Sequence, residues 1–326
     1  MPILTATPED FPLRTVFRIS RGARTTAEVV TVEIRDGDAV GRAECTPYKR
    51  YGETREGVVA DILRMAGPIG EGMSRADLQT ALPAGAARNA VDCALWDLEA
   101  KRTGRPVWQL AGLPEPGPVV TVMTISLDET EAMAAQAAAN AHRPMLKLKL
   151  TGEGDLDRVT AIRKAAPDSR IVVDANEGWS TEHLDRYAAA FADLGVEMIE
   201  QPLHADADAA LAGRTFPVPI GADESCHTAD DLPALRSKYQ IVNIKLDKTG
   251  GLTEALRLRA AARAAGFRVM VGCMMGTSLA MAPGVLVAQG VAFVDLDGPL
   301  WMARDRDPPL RFDGSLVHPA DPALWG

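Results

Sequence analysis

The last two thirds of the chain alternate short apolar runs with alanine-rich amphipathic segments. Runs such as MLKLKL and IVVDAN have the composition of buried strands, whereas LDRVTAIRKAA and LTEALRLRAAARAAG carry apolar residues at helical spacing. The predicted strands end at Thr124, Lys149, Asp174, Glu200, Asp223, Lys245, Cys273 and Asp297. These ends lie about 25 residues apart, the length of one strand plus one crossover helix. Eight such units predict a closed α/β barrel with parallel strands.

The competing fold is an open, doubly wound sheet, which uses the same alternation of strands and helices. Such a sheet normally carries a glycine-rich fingerprint after its first strand. The segment TISLDET stands at the corresponding place and contains no glycine. The sequence therefore favours the barrel, in which catalytic groups lie at the C-terminal ends of the strands.

The N-terminal third has a different pattern. Glu28–Ile34 is rich in β-branched residues, Gly41–Cys45 continues an early sheet, and AARNAVDCALWDLEAKRTG places apolar residues on one helical face. The segment LPEPGP at Leu113–Pro118 is the best linker. We therefore expect an α+β domain over residues 1–112 and the barrel over residues 113–302.

The composition is that of a folded globular chain. With 47% hydrophobic and 24% charged residues, the 326-residue sequence is typical neither of disorder nor of an integral membrane protein. The uncharged stretch Val269–Val294 is long enough for a membrane span, but Pro283, Gln289 and four glycines favour strand, loop and helix within a core. The N-terminus MPILTATPED lacks the layout of a secretory signal, which predicts a cytoplasmic protein.

Charge and cysteine usage limit the partners. The net charge is −9 and basic residues are interleaved with acidic ones, so neither nucleic acid nor a membrane is an expected partner. The four cysteines show no CxxC or zinc-ligand spacing and are predicted to be reduced core thiols. A small-molecule substrate is the expected partner, and a homo-oligomer stays open.

Two lysines interrupt the apolar run MLKLKL. Side chains alternate across a strand, so Lys147 and Lys149 share one face and the leucines share the other. An isolated pair of this kind usually projects into solvent from an edge strand. The following strands reverse that interpretation because they end in carboxylates. We therefore predict that both lysines point into the barrel.

Carboxylates end three successive strands, in IVVDAN, MIEQP and IGADES. A single aspartate at a strand end is usually a turn former or a helix cap. Three converging acids would repel one another and raise their pKa values, whereas Mg²⁺ takes oxygen ligands and keeps positions open for substrate. Asp174, Glu200 and Asp223 are therefore predicted to hold one Mg²⁺ per subunit.

Lys245 follows the next strand, four positions round an eight-stranded barrel from Lys149. The two amines are expected to face each other across the metal. A lysine is a base only when it is neutral, and positive charge from neighbouring lysines and the metal lowers a lysine pKa toward the working range. The sequence thus predicts proton transfer from two sides of one substrate.

The last strand carries Asp295 and Asp297 on one face, followed by Gly298 and Pro299. Alone, this sequence is a turn. Beside the predicted metal site, two carboxylates at the barrel mouth suit a substrate ammonium group. They also disfavour the phosphate site common after the last barrel strands, although Gly276–Ser278 offers amides and hydroxyls.

These residues together resemble the enolase superfamily, in its muconate-lactonizing branch, whose sites pair a lysine base with Mg²⁺. The segments ECTPYKRYGE, LPAGAARNAVDCALWDLEA, GADESCHT, NIKLDKTGGLTEAL and DLDGP are similar to bacterial dipeptide epimerases. The resemblance covers nearly the whole chain. It implies a (β/α)₇β barrel under a capping domain that residues 303–326 complete.

The resemblance also implies residue roles. Mg²⁺ would bind the substrate carboxylate, Lys149 and Lys245 would exchange the α-proton, and Lys147 with the metal would stabilise the enediolate. The substrate-binding residues implied are Arg24, Thr124, Asp295 and Asp297, with Glu224 and Asn176 supporting the metal ligands.

Arg24 lies in SRGART, where the family arginine pairs with a glutamate side chain, although an exposed arginine is otherwise simply solvated. The implied activity is an isomerase that epimerises the C-terminal residue of a dipeptide such as L-Ala-D/L-Glu, in murein peptide recycling. Gly276, Leu279, Met123 and Ile125 depart from the common epimerase pattern near the pocket rim. Another dipeptide or an N-acyl amino acid therefore stays open as the substrate.

Three rival functions remain. An o-succinylbenzoate synthase or cycloisomerase of the same branch acts on substrates without an ammonium group, so Asp295 and Asp297 would have no purpose. A Schiff-base aldolase would use a barrel lysine without a metal. A binding protein would bury seven ionisable residues without a catalytic task, which is costly.

Overall fold

A computed structural model describes all residues 1–326. The chain begins with an antiparallel sheet of β1 (Ile3–Ile19), β2 (Gly22–Asp36) and β3 (Ala39–Cys45), in that order. A 3₁₀ turn at Lys49–Tyr51 leads into α1 (Arg55–Arg64), α2 (Ala66–Gly70), α3 (Arg75–Ala81), α4 (Ala86–Thr103) and α5 (Val107–Leu110). The predicted strands fall within β2 and β3, and the predicted helix coincides with α4.

Helix α4 packs against β3. Its buried residues Ala90, Ala94 and Leu98 recur every four positions, which brings them to one side of the helix. Gly41 of β3 lies directly against this side, and a Cβ there would overlap the backbone of Ala94 and Leu98. The missing side chain therefore sets how closely the helix and the sheet approach.

The barrel follows the short strand β4 (Val119–Val120). Its parallel strands pair in chain order: β5 (Met123–Ile125), β6 (Met145–Lys149), β7 (Arg170–Asp174), β8 (Val196–Glu200), β9 (Ile220–Ala222), β10 (Ile241–Ile244), β11 (Arg268–Val271) and β12 (Phe293–Val294). The amide of Val122 donates to the carbonyl of Val294 at 2.9 Å and joins the two ends of the sheet. The predicted α/β fold, a barrel with an α+β cap, is confirmed.

Helices alternate with the strands of the barrel along the chain. They are α6 (Thr130–Ala139), α7 (Asp155–Ala165), α8 (Thr181–Asp193), α9 (Leu232–Leu235), α10 (Leu246–Thr249), α11 (Leu252–Ala264), α12 (Ser278–Val287) and α13 (Gly298–Trp301). The expected helix after β8 is only a 3₁₀ segment, Ala205–Leu211, because Gly213 and the prolines of FPVP end it early. None of the helices combines the length and the apolar character that a membrane span requires.

The floor of the barrel is apolar and its opposite end is polar. Buried side chains from the early part of seven strands fill the floor: Val122, Met145, Val172, Met198, Ile241, Met270 and Phe293. The chain ends with β13 (Phe312–Asp313) and β14 (Leu316–Val317), and β14 pairs with β4. The apolar floor closes the N-terminal end of the barrel. The polar residues at the C-terminal ends of the strands therefore meet at the opposite mouth.

Candidate active site

The acids and lysines predicted from the strand ends all lie buried at this mouth. Residues opposite each other in the parallel register include Lys149 with Asp174 and Asp174 with Glu200. No member of the set is more than 7% exposed: Lys147, Lys149, Asp174, Glu200, Asp223, Lys245, Asp295 and Asp297. Buried charges are stable only when they are paired or hold an ion, so this concentration indicates a functional site.

Lys147 lies at the centre of the mouth. Its Nζ is 2.7 Å from Glu200 Oε2, 2.7 Å from Asp295 Oδ2 and 3.2 Å from Asp174 Oδ2. Burial alone would lower the pKa of Lys147, but the three carboxylates outweigh burial and raise it well above its usual range. Lys147 is therefore a cation near neutral pH rather than a base.

Lys149 and Lys245 stand on strands that are far apart in the ring. Nζ of Lys149 donates to Asp174 Oδ2 at 2.6 Å, and Nζ of Lys245 donates to Asp223 Oδ2 at 2.6 Å. Strand β6 is the second of eight and β10 is the sixth. The two amines therefore enter the mouth from opposite arcs of the barrel.

The protonation of Lys245 differs from the sequence-based expectation of a lowered lysine pKa. Burial lowers the pKa of Lys245, but the negative charges of Asp223, Glu200 and Glu224 together outweigh burial and raise the pKa above its usual range. A lowered pKa needs the positive charge of a metal ion on these acids, which was part of the prediction. The acids by themselves keep the amine protonated.

The donor set fits a hard cation. Five buried side-chain oxygens at the mouth accept no hydrogen bond: Asn176 Oδ1, Glu200 Oε2, Asp223 Oδ1, Glu224 Oε2 and Asn243 Oδ1. Glu200 Oε2 and Asp223 Oδ1 each lie 2.7 Å from an ammonium nitrogen, but without hydrogen-bond alignment. Mg²⁺ prefers such carboxylate and amide oxygens. The carboxylates of the three predicted ligands do not converge on one common point, because Lys147 lies between Asp174 and Glu200.

Amide side chains orient the acids. Asn176 donates to Asp174 from its backbone amide at 2.9 Å and from Nδ2 at 3.1 Å, in the supporting position predicted for it. Asn243 donates to Glu200 Oε1 at 2.6 Å. Sequence analysis missed Asn243, although it stands two residues before Lys245 and the alternation along the strand puts both on one face.

Unusual backbone geometry occurs at the same place. The chain has three non-glycine residues with positive φ, which are Asn176 (45°), Glu177 (65°) and Gln201 (33°), and all three follow β7 or β8 directly. Glu177 is held by Arg50, whose Nε and Nη2 donate at 2.7 and 2.8 Å. Strained backbone persists only where its surroundings hold it, and it concentrates at functional sites.

The turn between β1 and β2 reaches over the mouth through Arg21. Nη2 of Arg21 donates to Glu224 Oε1 at 2.6 Å, and Nη1 donates to the carbonyl of Asn176 at 2.6 Å. Burial is the main reason that the pKa of Glu224 rises to about 7, with the charge of Asp223 adding to it. Sequence analysis placed Glu224 beside the metal ligands but missed its partner Arg21.

Arg24, near the start of β2, differs from Arg21 and Arg50 in its contacts. Arg21 and Arg50 form ion pairs with Glu177 and Glu224, whereas Arg24 lies over the ring of Tyr48, 5.2 Å from the ring centroid. No acid of the chain forms an ion pair with it. Its guanidinium is therefore available for a carboxylate from outside the protein.

Asp295 and Asp297, which follow β12 and were expected to share one role, have different environments. Asp295 pairs with Lys147, whereas Asp297 accepts a hydrogen bond from the amide of Thr124 at 2.7 Å. Burial, with the charge of Asp295, raises the pKa of Asp297 to about 6. Because Asp297 has no cationic partner in the protein, it is the better site for an ammonium group.

The four positions that depart from the epimerase pattern differ in how deeply they are buried. Gly276, Leu279 and Ile125 are buried, whereas Met123 is half-buried and packs with Phe17 and Met275 against the cluster around Trp301. Sequence analysis placed all four near the rim as one group. The partial exposure of Met123 makes it the one that can contact a ligand directly.

Comparison with known families agrees with this geometry. Residues 3–112 match the N-terminal domain of the mandelate racemase / muconate lactonizing enzyme family, and residues 129–322 match the enolase C-terminal domain-like family. The chain belongs to the enolase superfamily.

Relatives within the enolase superfamily share most of the sequence. The L-Ala-D/L-Glu epimerase of Escherichia coli (strain K12) is 48% identical over 312 residues, which is 95% of this chain and 97% of the relative. The N-acetyl-D-glutamate racemase of a Pseudoalteromonas species is 43% identical over 300 residues, 91% of this chain and 95% of the relative. Both names describe inversion at a carbon atom, and this superfamily member is an isomerase.

Solved structures of superfamily members have the same fold. One from Agrobacterium tumefaciens, described as having homology to dipeptide epimerases and as binding sodium and L-Ala-L-Glu, has a TM-score of 0.98 and 55% identity over all of both chains. The dipeptide epimerase from Enterococcus faecalis V583, complexed with Mg and L-Leu-L-Tyr, has a TM-score of 0.90 and 27% identity over 98% of this chain and 97% of the other. Both structures thus contain a cation together with a dipeptide.

Proposed function

We propose that the chain is a Mg²⁺-dependent dipeptide epimerase that inverts the α-carbon of the C-terminal residue, with L-Ala-D/L-Glu as its preferred substrate. The observation that carries this proposal is the placement of Lys149 and Lys245 on the second and sixth of eight strands around one buried acidic mouth. An α-carbon between two such amines can lose a proton from one face and gain one on the other. The dipeptides named for the relatives support this choice of substrate.

Asp174, Glu200 and Asp223 would hold the Mg²⁺ ion, and the buried oxygens at the mouth that accept no hydrogen bond fit that assignment. When bound, the ion supplies positive charge to the substrate carboxylate, which makes the adjacent α-proton more acidic. Lys147, which touches two of these acids, adds a second fixed positive charge to the same region.

Lys149 and Lys245 would move the proton. At the start of a turnover one amine must be neutral to accept the α-proton, and the other must be protonated to return one. Asp174 and Asp223 each accept a hydrogen bond from one of these amines and so fix its direction. When Lys149 and Lys245 begin with the opposite protonation states, the same transfer converts the other epimer.

Two groups would hold the ends of the dipeptide. Asp297 would take the N-terminal ammonium, because it is buried without a cationic partner. Arg24 would pair with the side-chain carboxylate of a C-terminal glutamate, since no acid of the protein occupies it. L-Ala-D-Glu is a fragment of murein peptides, and we place the enzyme in their recycling.

Proton exchange with solvent tests the proposal. In D₂O, the wild type should introduce deuterium at the glutamate α-carbon of both L-Ala-L-Glu and L-Ala-D-Glu. NMR measures this incorporation. Lys149→Ala and Lys245→Ala should each lower the rate of epimerisation by about 100- to 10,000-fold. Each variant should also fail to exchange the α-proton of one of the two epimers. The exposed Lys164 of α7 provides a matched control, because Lys164→Ala should behave as wild type. Full epimerisation by both mouth variants would refute the proposal.

The racemase relative supplies a second candidate, an N-acetylglutamate racemase. Its substrate shares the glutamate but has no ammonium group, so Asp297 distinguishes the two functions. For a dipeptide epimerase, Asp297→Asn should raise KM for L-Ala-L-Glu by about 10-fold or more, as expected for a lost hydrogen-bonded charge pair. A wild type with the higher kcat/KM on N-acetyl-D-glutamate, unchanged in Asp297→Asn, would establish the second candidate instead.

A further inference from the structure

A fourth lysine, Lys248, is buried beneath the mouth and has no task in the reaction proposed above. It lies in α10, three residues after Lys245, and its side chain is fully buried. Its Nζ donates to the backbone carbonyls of Cys226 at 2.8 Å and Asn243 at 3.0 Å, and also to the carbonyl of Asp223. The ammonium group therefore joins the end of β9 to β10.

Asp223 is bound by this lysine through its side chain as well. Oδ1 of Asp223 lies 2.7 Å from Nζ of Lys248, while Oδ2 accepts from Lys245 at 2.6 Å. Strand β9 ends at Ala222, so Asp223 lies one residue beyond the ladder that fixes Asp174 and Glu200. The amide of Asp223 donates to Gln201 Oε1 at 2.9 Å, and Lys248 holds both the carbonyl and the carboxylate of the same residue.

A buried ammonium group is a costly way to fill space. The free-energy cost of desolvating the ammonium group is offset only by well-formed hydrogen bonds. A protein with an apolar side chain of similar volume at such a position is often equally stable. Two of the four oxygens around Lys248 Nζ belong to Asp223, its hydrogen-bonded carbonyl and its ion-paired Oδ1, whereas Cys226 and Asn243 supply one carbonyl each. This convergence points to a task at Asp223 rather than to general packing.

We propose that Lys248 is a positioning residue that holds Asp223 in the geometry required to bind a divalent cation. The inference rests on the proposed function, in which Asp223 is a Mg²⁺ ligand. Two effects of Lys248 on the ion have opposite signs. Its charge repels Mg²⁺, whereas its hold on Asp223 saves the entropy of ordering a ligand beyond the end of a strand. A positioning role means that the second effect is larger.

The sign of the change in Mg²⁺ affinity therefore tests the inference without an activity assay. Mg²⁺ binding to the wild type and to Lys248→Met is measured by isothermal titration calorimetry in the absence of substrate. We expect binding to be about 10-fold weaker or more in the variant, the usual cost of losing a group that orients a metal ligand. Epimerisation by the variant should recover as the Mg²⁺ concentration is raised.

Arg88 offers a matched control. It is also a buried cation, and it donates only to backbone carbonyls, those of Gln79, Leu82, Thr249 and Gly250. Arg88→Met should lower the free energy of unfolding in urea but leave Mg²⁺ affinity as in the wild type. Should Lys248→Met fail to fold, Lys248→Gln keeps a donor without the charge and should show the same direction of change.

Each outcome has one meaning. Unchanged or tighter Mg²⁺ binding in a folded Lys248 variant would overturn the positioning role, since it would leave only the repulsive effect or none. Equal weakening in Arg88→Met would also overturn it, because general loosening would then explain both. A wild type that binds no Mg²⁺ refutes the proposed metal-dependent function itself, which is a separate result.

Discussion

Four lysines are buried against oxygens in this protein, and their surroundings separate their tasks. Lys147 contacts three carboxylates, Lys149 and Lys245 contact one each, and Lys248 contacts mainly backbone carbonyls. The three carboxylates around Lys147 raise its pKa well above its usual range, although burial acts in the opposite direction. In the proposed mechanism, the same residue type would thus provide a fixed charge, two proton carriers and a support for a metal ligand.

Arg24 should determine preference for an acidic C-terminal residue. Arg24→Met should lower kcat/KM for L-Ala-L-Glu by about 10- to 100-fold, because a charge-assisted hydrogen bond to the substrate carboxylate is lost. The same variant should turn over L-Ala-L-Ala as the wild type does. Initial rates in a polarimetric or NMR assay with both dipeptides measure this difference.

Arg14 of β1 is the control for that change, because it is exposed and lies on the preceding strand. Arg14→Met should leave both substrates unaffected. An equal loss on both dipeptides in Arg24→Met would show that Arg24 supports the turn and does not recognise the substrate.

The sequence predicted the positions of the barrel strands better than it predicted their last residues. The predicted ends Lys149, Asp174 and Glu200 are the observed ends of β6, β7 and β8, whereas β12 stops at Val294 although Asp297 was its predicted end. Buried ladders extend a strand only while a neighbour pairs with it, and β12 pairs with β11 over two residues. The boundaries of the cap and barrel at residues 112 and 302 stay predictions.

The contact between β3 and α4 should be intolerant of a single methyl group. Gly41→Ala places a Cβ against the backbone of Ala94 and Leu98, which cannot move as a side chain can. We expect a loss of about 3 kcal/mol in the free energy of unfolding, measured by urea denaturation.

Gly67 of α2 is a suitable comparison for this substitution, since a Cβ there would meet no atom within 4 Å. Gly67→Ala should be neutral or stabilise the protein by about 0.5 to 1 kcal/mol, because alanine favours helix. Similar effects of the two substitutions would contradict the close approach of β3 and α4.

In the molecule as a whole, the cap is attached to the barrel by buried polar contacts as well as by apolar packing. Asp247 of α10 accepts hydrogen bonds from the amide of Thr46 at 3.0 Å and from Asn89 Nδ2 at 2.8 Å, both in the cap. Glu44 of β3 accepts from the amide of Thr277 at 2.8 Å, at the start of α12. The mouth of the barrel is therefore closed by contacts that fix the cap at several points around it.

Asp247 should make stability depend on pH. Burial is the main reason that the pKa of Asp247 rises from 3.8 to about 7 in the folded protein. The folded state thus binds this proton more tightly than the unfolded state, so the contribution of Asp247 to stability falls as pH rises from about 4 to about 7 and is constant above. Asp247→Asn removes this dependence and keeps an acceptor oxygen for Thr46 and Asn89.

Urea denaturation at pH 5 and pH 8 measures the effect. The stability of Asp247→Asn relative to wild type should be higher at pH 8 than at pH 5, by an amount on the order of 2 kcal/mol. The exposed Asp193 of α8 is the control, and Asp193→Asn should show no such difference. An equal effect of Asp247→Asn on the free energy of unfolding at both pH values would contradict the raised pKa of Asp247.

Local information was enough for the barrel and for the main acids and lysines. The alternation of apolar runs with amphipathic segments depends only on neighbouring residues, and so does the rule that places Lys147 with Lys149 and Asp295 with Asp297 on one face of a strand. The family resemblance added the role of Arg24 from a short motif. These predictions needed no knowledge of which strands are neighbours in space.

Pairing between distant residues required the tertiary structure. Arg21 with Glu224, Lys147 with Asp295 and Lys248 with Asp223 join different elements of the fold. Sequence leaves such pairs undetermined because a charged side chain has many possible partners, and the choice among them depends on distance and burial. The unequal environments of Asp295 and Asp297 have the same origin, since only the packed barrel brings Lys147 to one of them and the amide of Thr124 to the other.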